Sequence, residues 1–388
     1  MRRSKMENEN KMKKKIVFAV YHNVNSEARS KEFLECCTML GEVDFVSYAL
    51  PVGFENVRSH IIDKKSPFAL IHFLQTAMKT IDEIKPDIVV LHDNDCSVLV
   101  PRIKKKHPNV KIVYDSSELY IKAGDFKKKR FFGTNGMVLW LKSTLSKFRP
   151  ICEKKYLKNA DLVFAANIER ANIMKDYFQL KSVPLVFDNM HRIYDEYDED
   201  ACKEKFNGKI IEGKFNILFG GGISEERQTF DYINAFLKLG EEYNLVIAGT
   251  ASAVAYKKYE ELLKNTNANN IFYIGFISRA ELRYCMQKVQ ASVVVFAKDS
   301  YNTLYCASGK LYESLFEGCP ILCSENPPLK RLCESYGIGI SSDHFDEAAK
   351  RMSMDYQMYR ANVRQYTLNL KYEERVTALA DTIKREIL

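Results

Sequence analysis

Between Ile16 and Ser341 the sequence alternates short apolar runs with segments of helical spacing, and that alternation limits the fold more than any single residue does. The runs IVFAV, VDFVSYA, DIVVLH, VKIVYD and ADLVFAA come first, and NILFGG, NLVIAG, NIFYIG, ASVVVF, PILCS and GIGIS follow after a charged interval. Most are rich in β-branched residues and lack strict polar alternation, the mark of a parallel strand covered on both faces. Helical patterns lie between them at 29–40, 68–84, 97–106, 226–239, 253–264, 279–288, 309–317 and 327–335. Parallel strands need crossover helices, and those helices must cover both faces of the sheet. The pattern therefore predicts two doubly wound, Rossmann-like α/β domains.

A chain of 388 residues suits two such cores. Residues 1–15, MRRSKMENENKMKKK, are polar, basic and without periodicity, and read as a disordered lead-in. The first domain is placed at 16–192. The charged stretch HRIYDEYDEDACKEKFNGKIIEGK reads as a surface linker, so linker and second domain take 193–371. A final helix at 372–388, with no strand after it, is predicted to pack back on the first domain. No run approaches the roughly 20 apolar residues of a membrane span, and the first is too short for a secretion signal, which predicts a cytoplasmic protein. Ten cysteines are scattered without a CxxC pair or zinc spacing and read as reduced core residues. The formal net charge of +8 is concentrated: Lys122–Lys158 hold eleven Lys and Arg against two acidic residues.

In doubly wound sheets ligands sit beyond the carboxyl ends of the strands, so the residues after each strand are the candidates. GGGISEER follows NILF; its glycines allow close backbone approach to an anion, and Arg227, placed one turn into the next helix, can pair with a phosphate. A glycine turn beside a solvated arginine is the other reading. SGKLYESLFEGCPIL sets Ser308 as a helix N-cap and leaves Lys310, Glu313 and Glu317 on the face away from Leu311, Tyr312, Leu315 and Phe316. Lys310 and Glu313 form either a surface ion pair or a site for a diphosphate and a ribose, and their chemistry alone does not choose.

Together with their neighbours these segments resemble glycosyltransferase family 4. SGKLYESLFEGCPILCSENPPLKRLCESYGIGI is similar to that family's nucleotide-sugar-binding segment, a K-x-x-E helix followed by G-x-P, a strand and a later G-x-G. KPDIVVLHDND, VYDSSELY, VFDNMHRI and NILFGGGISEER resemble further segments, so the likeness runs over about residues 15–386. The resemblance implies a GT-B fold, two Rossmann-like domains facing a cleft, with donor in the C-terminal domain and acceptor in the N-terminal one. It implies transfer of a sugar from a UDP- or GDP-linked donor to a hydroxyl acceptor with retention of configuration, without metal or other cofactor. Carried over by position, Arg227 and Lys310 would bind the diphosphate, Glu313 the ribose, the backbone at Gly221 and Gly222 the phosphates, and Phe276 and Ile277 the base. The family's first glutamate is Tyr305 here, which passes sugar contact to Asn302, Ser308 or the Tyr305 hydroxyl. Its first donor-binding arginine is Gly222, and the histidine of its DsHE pattern is Ser117.

In the first domain His92, Asp93, Asp95, Asp115 and Glu118 follow strand ends. His92, Asp93 and Glu118 are candidates for the acceptor site; a satisfied strand-end histidine and an Asp115 helix cap are the alternatives. Asp93-Asn94-Asp95 reads as the D-x-D metal motif of another glycosyltransferase fold, where one domain holds the nucleotide. Here the donor half is the other domain, so no metal is expected. The stretch DFKKKRFFGTNGMVLWLKSTLSKFRP mixes cations with large apolar residues and carries no nucleic-acid recognition motif. It reads either as a solvated helix or, as favoured here, as a peripheral contact of residues 126–150 with the anionic inner face of the cell membrane. The family then implies a glycan or lipid-linked acceptor in capsule, lipopolysaccharide or other surface-polysaccharide synthesis. A catalytically inactive subunit of the same fold would explain Ser117 and Tyr305, and a nucleotide-sugar epimerase would share the diphosphate site.

Overall fold

The computed structural model describes residues 13–121, 150–224, 227–266 and 268–388. Its first sheet contains β1 (Lys14–Val20), β2 (Gly41–Ser47), β3 (Arg58–Ile61), β4 (Ile88–His92), β5 (Lys111–Ser116), β6 (Leu162–Ala165) and β7 (Leu185–Val186). The second contains β8 (Phe215–Phe219), β9 (Tyr243–Ala248), β10 (Ile271–Gly275), β11 (Ala291–Val294), β12 (Ile321–Cys323) and β13 (Gly339–Ser341). All pairings are parallel, in the orders β3-β2-β1-β4-β5-β6-β7 and β10-β9-β8-β11-β12-β13. In each sheet the chain walks outward from a central strand and then returns to its other side. The strand order therefore reverses between β1 and β4, and again between β8 and β11, which is where a doubly wound sheet opens a crevice at its carboxyl edge.

The central strands are the ones the apolar runs predict, since both their faces are buried. β3 and β7 are not predicted: RSHI and LV are short, partly exposed edge strands without a continuous apolar run. The chain divides into two compact units, one reaching to Asp188 and including Glu373–Leu388, the other spanning Asn189–Tyr372. Within the first, the helix Arg375–Ile387 lays Leu379, Ala380 and Ile383 into the core of Phe18, Phe33 and Phe164. Burying Leu379 and Ile383 contributes about 3–6 kcal/mol. Arg375 pairs with Glu32 and its guanidinium lies 4.1 Å over the Phe187 ring. Burial raises the Glu32 carboxyl to about 7 even so. Glu153, fully buried, receives a hydrogen bond from the Tyr114 hydroxyl (2.9 Å), and burial pushes its carboxyl up to about 8. The ten cysteines are free thiols, and all but Cys152 are buried. The membrane-contact segment 126–150 lies outside the described residues save for Pro150.

Candidate active site

The crevice between β8 and β11 gathers four of the candidates from the second domain, Gly221, Arg227, Ser308 and Lys310. It is lined by Phe219, Gly220 and Gly221 at the end of β8, Val293–Val295 at the end of β11, Arg227, Ser308 and Lys310. Arg227 is not inside a helix. The helix starts at Thr229, after Gln228 in the left-handed region (φ 50), so Arg227 sits in the preceding loop. Thr229 holds that loop closed: its hydroxyl lies 3.1 Å from the Gly222 carbonyl and 3.1 Å from the Ser224 amide. The Arg227 guanidinium lies 4.4 Å from the Phe296 ring, a flat support that fixes its plane beside the crevice. Gly221 lines the crevice, but Gly222 turns away from it. At φ 74, a Cβ there would come within 2.1 Å of the Thr250 carbonyl oxygen, so Gly222 serves close packing of the loop on the chain after β9.

The helix Gly309–Phe316 does not leave Lys310, Glu313 and Glu317 on a solvent face. Glu313 is 6% exposed and Ser308 is buried. The Ser308 side chain makes no capping hydrogen bond to the helix. Gly309 is required by close approach, because a Cβ there would lie 2.0 Å from His191 Nε2. The ion pair made by Glu313 is with Arg279, at 3.5 Å, while Glu317 pairs with Arg283 at 3.2 Å. Arg279, at the start of the helix Arg279–Lys288, has no signature in the sequence; only the fold brings it to Glu313. Burial lowers the Lys310 ammonium below its usual range; Glu313 opposes this, and Arg227 and Arg279 add to it. Arg279 also pairs with Asp195 at 3.4 Å, so Arg227 and Lys310 are the cations that line the crevice at the helix start. Phe276 is 77% exposed after β10, whereas Ile277 is a core residue beside Leu218 and Val246. Asn302 is half-buried on the short helix Tyr301–Leu304, which Tyr305 closes.

The corresponding edge of the first sheet is built differently. His92 is 1% exposed and lies with its Nδ1 2.9 Å from Asp115 Oδ2. Asp115 is a β5 residue rather than a helix cap, and Arg29 pairs with both its oxygens, the Nε contacts being 3.1 and 2.9 Å. Arg29 also donates to the Phe187 carbonyl. Asp93, at φ 61, spends its carboxylate on the loop after β5: it accepts from the Ser117 amide (2.8 Å), the Ser117 hydroxyl (2.7 Å) and the Glu118 amide (3.2 Å). That arrangement ties Asp93 to the loop after β5. Ser117 is thereby a clamp residue, and Glu118 remains half-buried on the clamped loop. Asp95 lies in the single turn Asn94–Cys96. Sequence reasoning missed His22 and Glu27, which complete the cluster: His22 Nε2 is 2.6 Å from Glu27 Oε2, and His92 Nε2 is 3.3 Å from the same oxygen. Burial works against charge on His92, but Glu27, Asp93 and Asp115 outweigh it and raise the imidazole above its usual range. The cluster collects positive charge.

Residues 200–354 match the family described as Glycosyl transferases group 1. An uncharacterized glycosyltransferase of Methanocaldococcus jannaschii is 22% identical over 222 residues, which cover 54% of this chain and half the length of that relative. Sucrose-phosphate synthase from Thermosynechococcus elongatus superposes with a TM-score of 0.69 at 12% identity, covering 96% of this chain and 98% of that one. Anabaena HepE, crystallised with UDP, gives 0.69 at 11% identity, covering 96% and 100%. These likenesses establish the GT-B fold, and the match to the glycosyl transferases group 1 family lies in residues 200–354, within the second unit.

Proposed function

We propose that this protein transfers a sugar from a nucleoside diphosphate sugar to a hydroxyl acceptor, with the β8–β11 crevice as the donor site. The observation that carries the reading is the convergence of Arg227, Lys310 and the Gly221 backbone at the switch point, with Arg279 adding a third positive charge. A diphosphate departing from the anomeric carbon develops negative charge, and fixed cations plus a helix start stabilise it where it forms. These groups do the work that a divalent metal does in other phosphate sites, so the donor half functions without one. Glu313 is placed to accept from ribose hydroxyls once a nucleotide draws Arg279 toward its phosphates. Phe276 is the exposed aromatic for the base. Transfer proceeds with retention and without a protein nucleophile, as the family resemblance implies. UDP is the first choice of base, with GDP second, because a relative of the same fold binds UDP. The acceptor is a surface glycan or its lipid-linked precursor, handled at the cytoplasmic face of the membrane.

A thermal-shift and calorimetric screen of the full-length protein against UDP, GDP, CMP and ADP, at fixed EDTA, tests the donor site. One nucleoside diphosphate should raise the unfolding midpoint, in proportion to the logarithm of its concentration over Kd once saturating. No response to any diphosphate would sink the reading. A response that appears only when a divalent metal is added back would overturn its metal independence.

A further inference from the structure

We propose that His22, Glu27 and His92 form a binding site for one divalent transition-metal ion of the zinc class at the carboxyl edge of the first sheet. His22 Nε2, Glu27 Oε2 and His92 Nε2 lie within 4.8 Å of one another. Two imidazoles and one carboxylate are a ligand set that zinc accepts, with a water completing the tetrahedron. Bonds of about 2.0–2.1 Å in that geometry set ligand atoms about 3.3 Å apart, and the His92 Nε2 to Glu27 Oε2 separation is 3.3 Å. Neither of those two buried atoms has a hydrogen-bond partner of good geometry. The two atoms face each other across that separation, and His22 Nε2 lies 2.6 Å from the same Glu27 oxygen.

The surroundings supply the support a metal ligand requires. Asp115 sits 2.9 Å from His92 Nδ1, the position from which a carboxylate fixes the tautomer that leaves Nε2 free for a metal. Arg29 holds Asp115 in turn. Charge points the same way. Glu27, Asp93 and Asp115 are three carboxylates set against the single guanidinium of Arg29, an excess that a bound cation offsets. His22 and Glu27 are 26% and 30% exposed, which provides an entry path and a face for the water ligand. His22 Nε2, on the irregular segment after β1, is 2.6 Å from Glu27 Oε2 and 2.8 Å from Ser30 Oγ, so binding requires it to give up Ser30 and to move away from Glu27 until the two ligand atoms stand about 3.3 Å apart.

The test uses full-length protein stripped with a chelator and then titrated with Co²⁺ as a visible probe of the site. The expected result is one equivalent bound, with ligand-field bands in the visible that Zn²⁺ abolishes by displacement. His22→Ala and Glu27→Gln, both at partly exposed positions, should lose the bands while keeping the wild-type circular dichroism. Zn²⁺ should raise the unfolding midpoint of the wild type and not of either variant. Protein that takes up no Co²⁺ near stoichiometry overturns the proposal, and so do bands unchanged in both variants, which would place the ion elsewhere. A cluster balanced by protons on the two imidazoles gives a midpoint that follows pH and ignores Zn²⁺, which also overturns it.

Discussion

The two switch points occupy the same place in two sheets of the same winding, yet their charges are arranged in opposite ways. At the β1–β4 edge, carboxylates, imidazoles and a guanidinium are buried against one another, and the Arg29–Asp115 pair is wholly enclosed. At the β8–β11 edge, Arg227 and Lys310 line the crevice beside Gly221, and Arg279 pairs with Glu313 and Asp195. Topology fixes where such a fold can bind something, whereas the side chains decide whether the position is neutralised from within or kept charged for a ligand. In the first sheet a lost charge should therefore cost stability, and in the second it should cost binding.

The largest effect is expected at Arg29. Replacing it with Met leaves the buried Asp115 with His92 as its remaining partner, and breaking a buried pair in this way costs about 3–5 kcal/mol. Denaturant unfolding of Arg29→Met measures this, and a loss under about 1 kcal/mol would show that the first edge is not held by its internal pairing. Next in size is a pH effect from Glu153. Its folded carboxyl sits at about 8 against an ordinary 4.5, so the folded state holds a proton that the unfolded state releases. Stability is then full below about pH 4.5 and declines as pH rises toward 8, by at most about 5 kcal/mol. Glu32, raised to about 7, adds slope of the same sign. Glu153→Gln keeps the shape beside Tyr114 and should flatten the decline by its own share; a decline of undiminished size would rule Glu153 out as its source.

The central strands were legible because burial on both faces writes itself into composition, and IVFAV and NLVIAG show it plainly. β3 and β7 were not, since an edge strand is held by the neighbour's backbone and needs no apolar signature. In the donor crevice Arg227, Lys310 and Gly221 were found through the strand-end rule and the family pattern. Arg279 was not, because a residue at a helix start carries no mark of the carboxylate it will meet 34 positions later. The face of the helix Gly309–Phe316 was misjudged for a related reason: periodicity shows one apolar stripe but cannot show that Arg279 and Arg283 cover the other side. His22 and Glu27 lie in an irregular segment, where spacing has no meaning until the backbone is known.

At the second edge the comparison is sharpened by Lys310→Ala. Its ammonium is disfavoured by burial and by Arg227 and Arg279, so removing it should leave folding stability unchanged or slightly raised. A charge-assisted contact to phosphate contributes about 1.5–3 kcal/mol, and its loss should weaken nucleoside diphosphate binding by roughly 10- to 100-fold. Calorimetry and unfolding on the same preparation separate the two readouts. Stability lost on the scale of Arg29→Met, with affinity intact, would make the two edges alike and end the contrast.

The smallest effect is expected at Phe276, which tests whether exposure at this edge is kept for a ligand. A ring 77% exposed packs against little, so Phe276→Ala should change unfolding free energy by no more than about 0.5 kcal/mol. If the ring supports the base, nucleotide affinity should fall by about 3- to 10-fold, since one aromatic contact is worth about 0.5–1.5 kcal/mol. Phe276→Tyr, which keeps the aromatic face, should restore most of it. The loss should be the same for UDP and for its nucleoside monophosphate, because the ring acts on the base and not on the phosphates; a loss confined to the diphosphate would place Phe276 outside the base site.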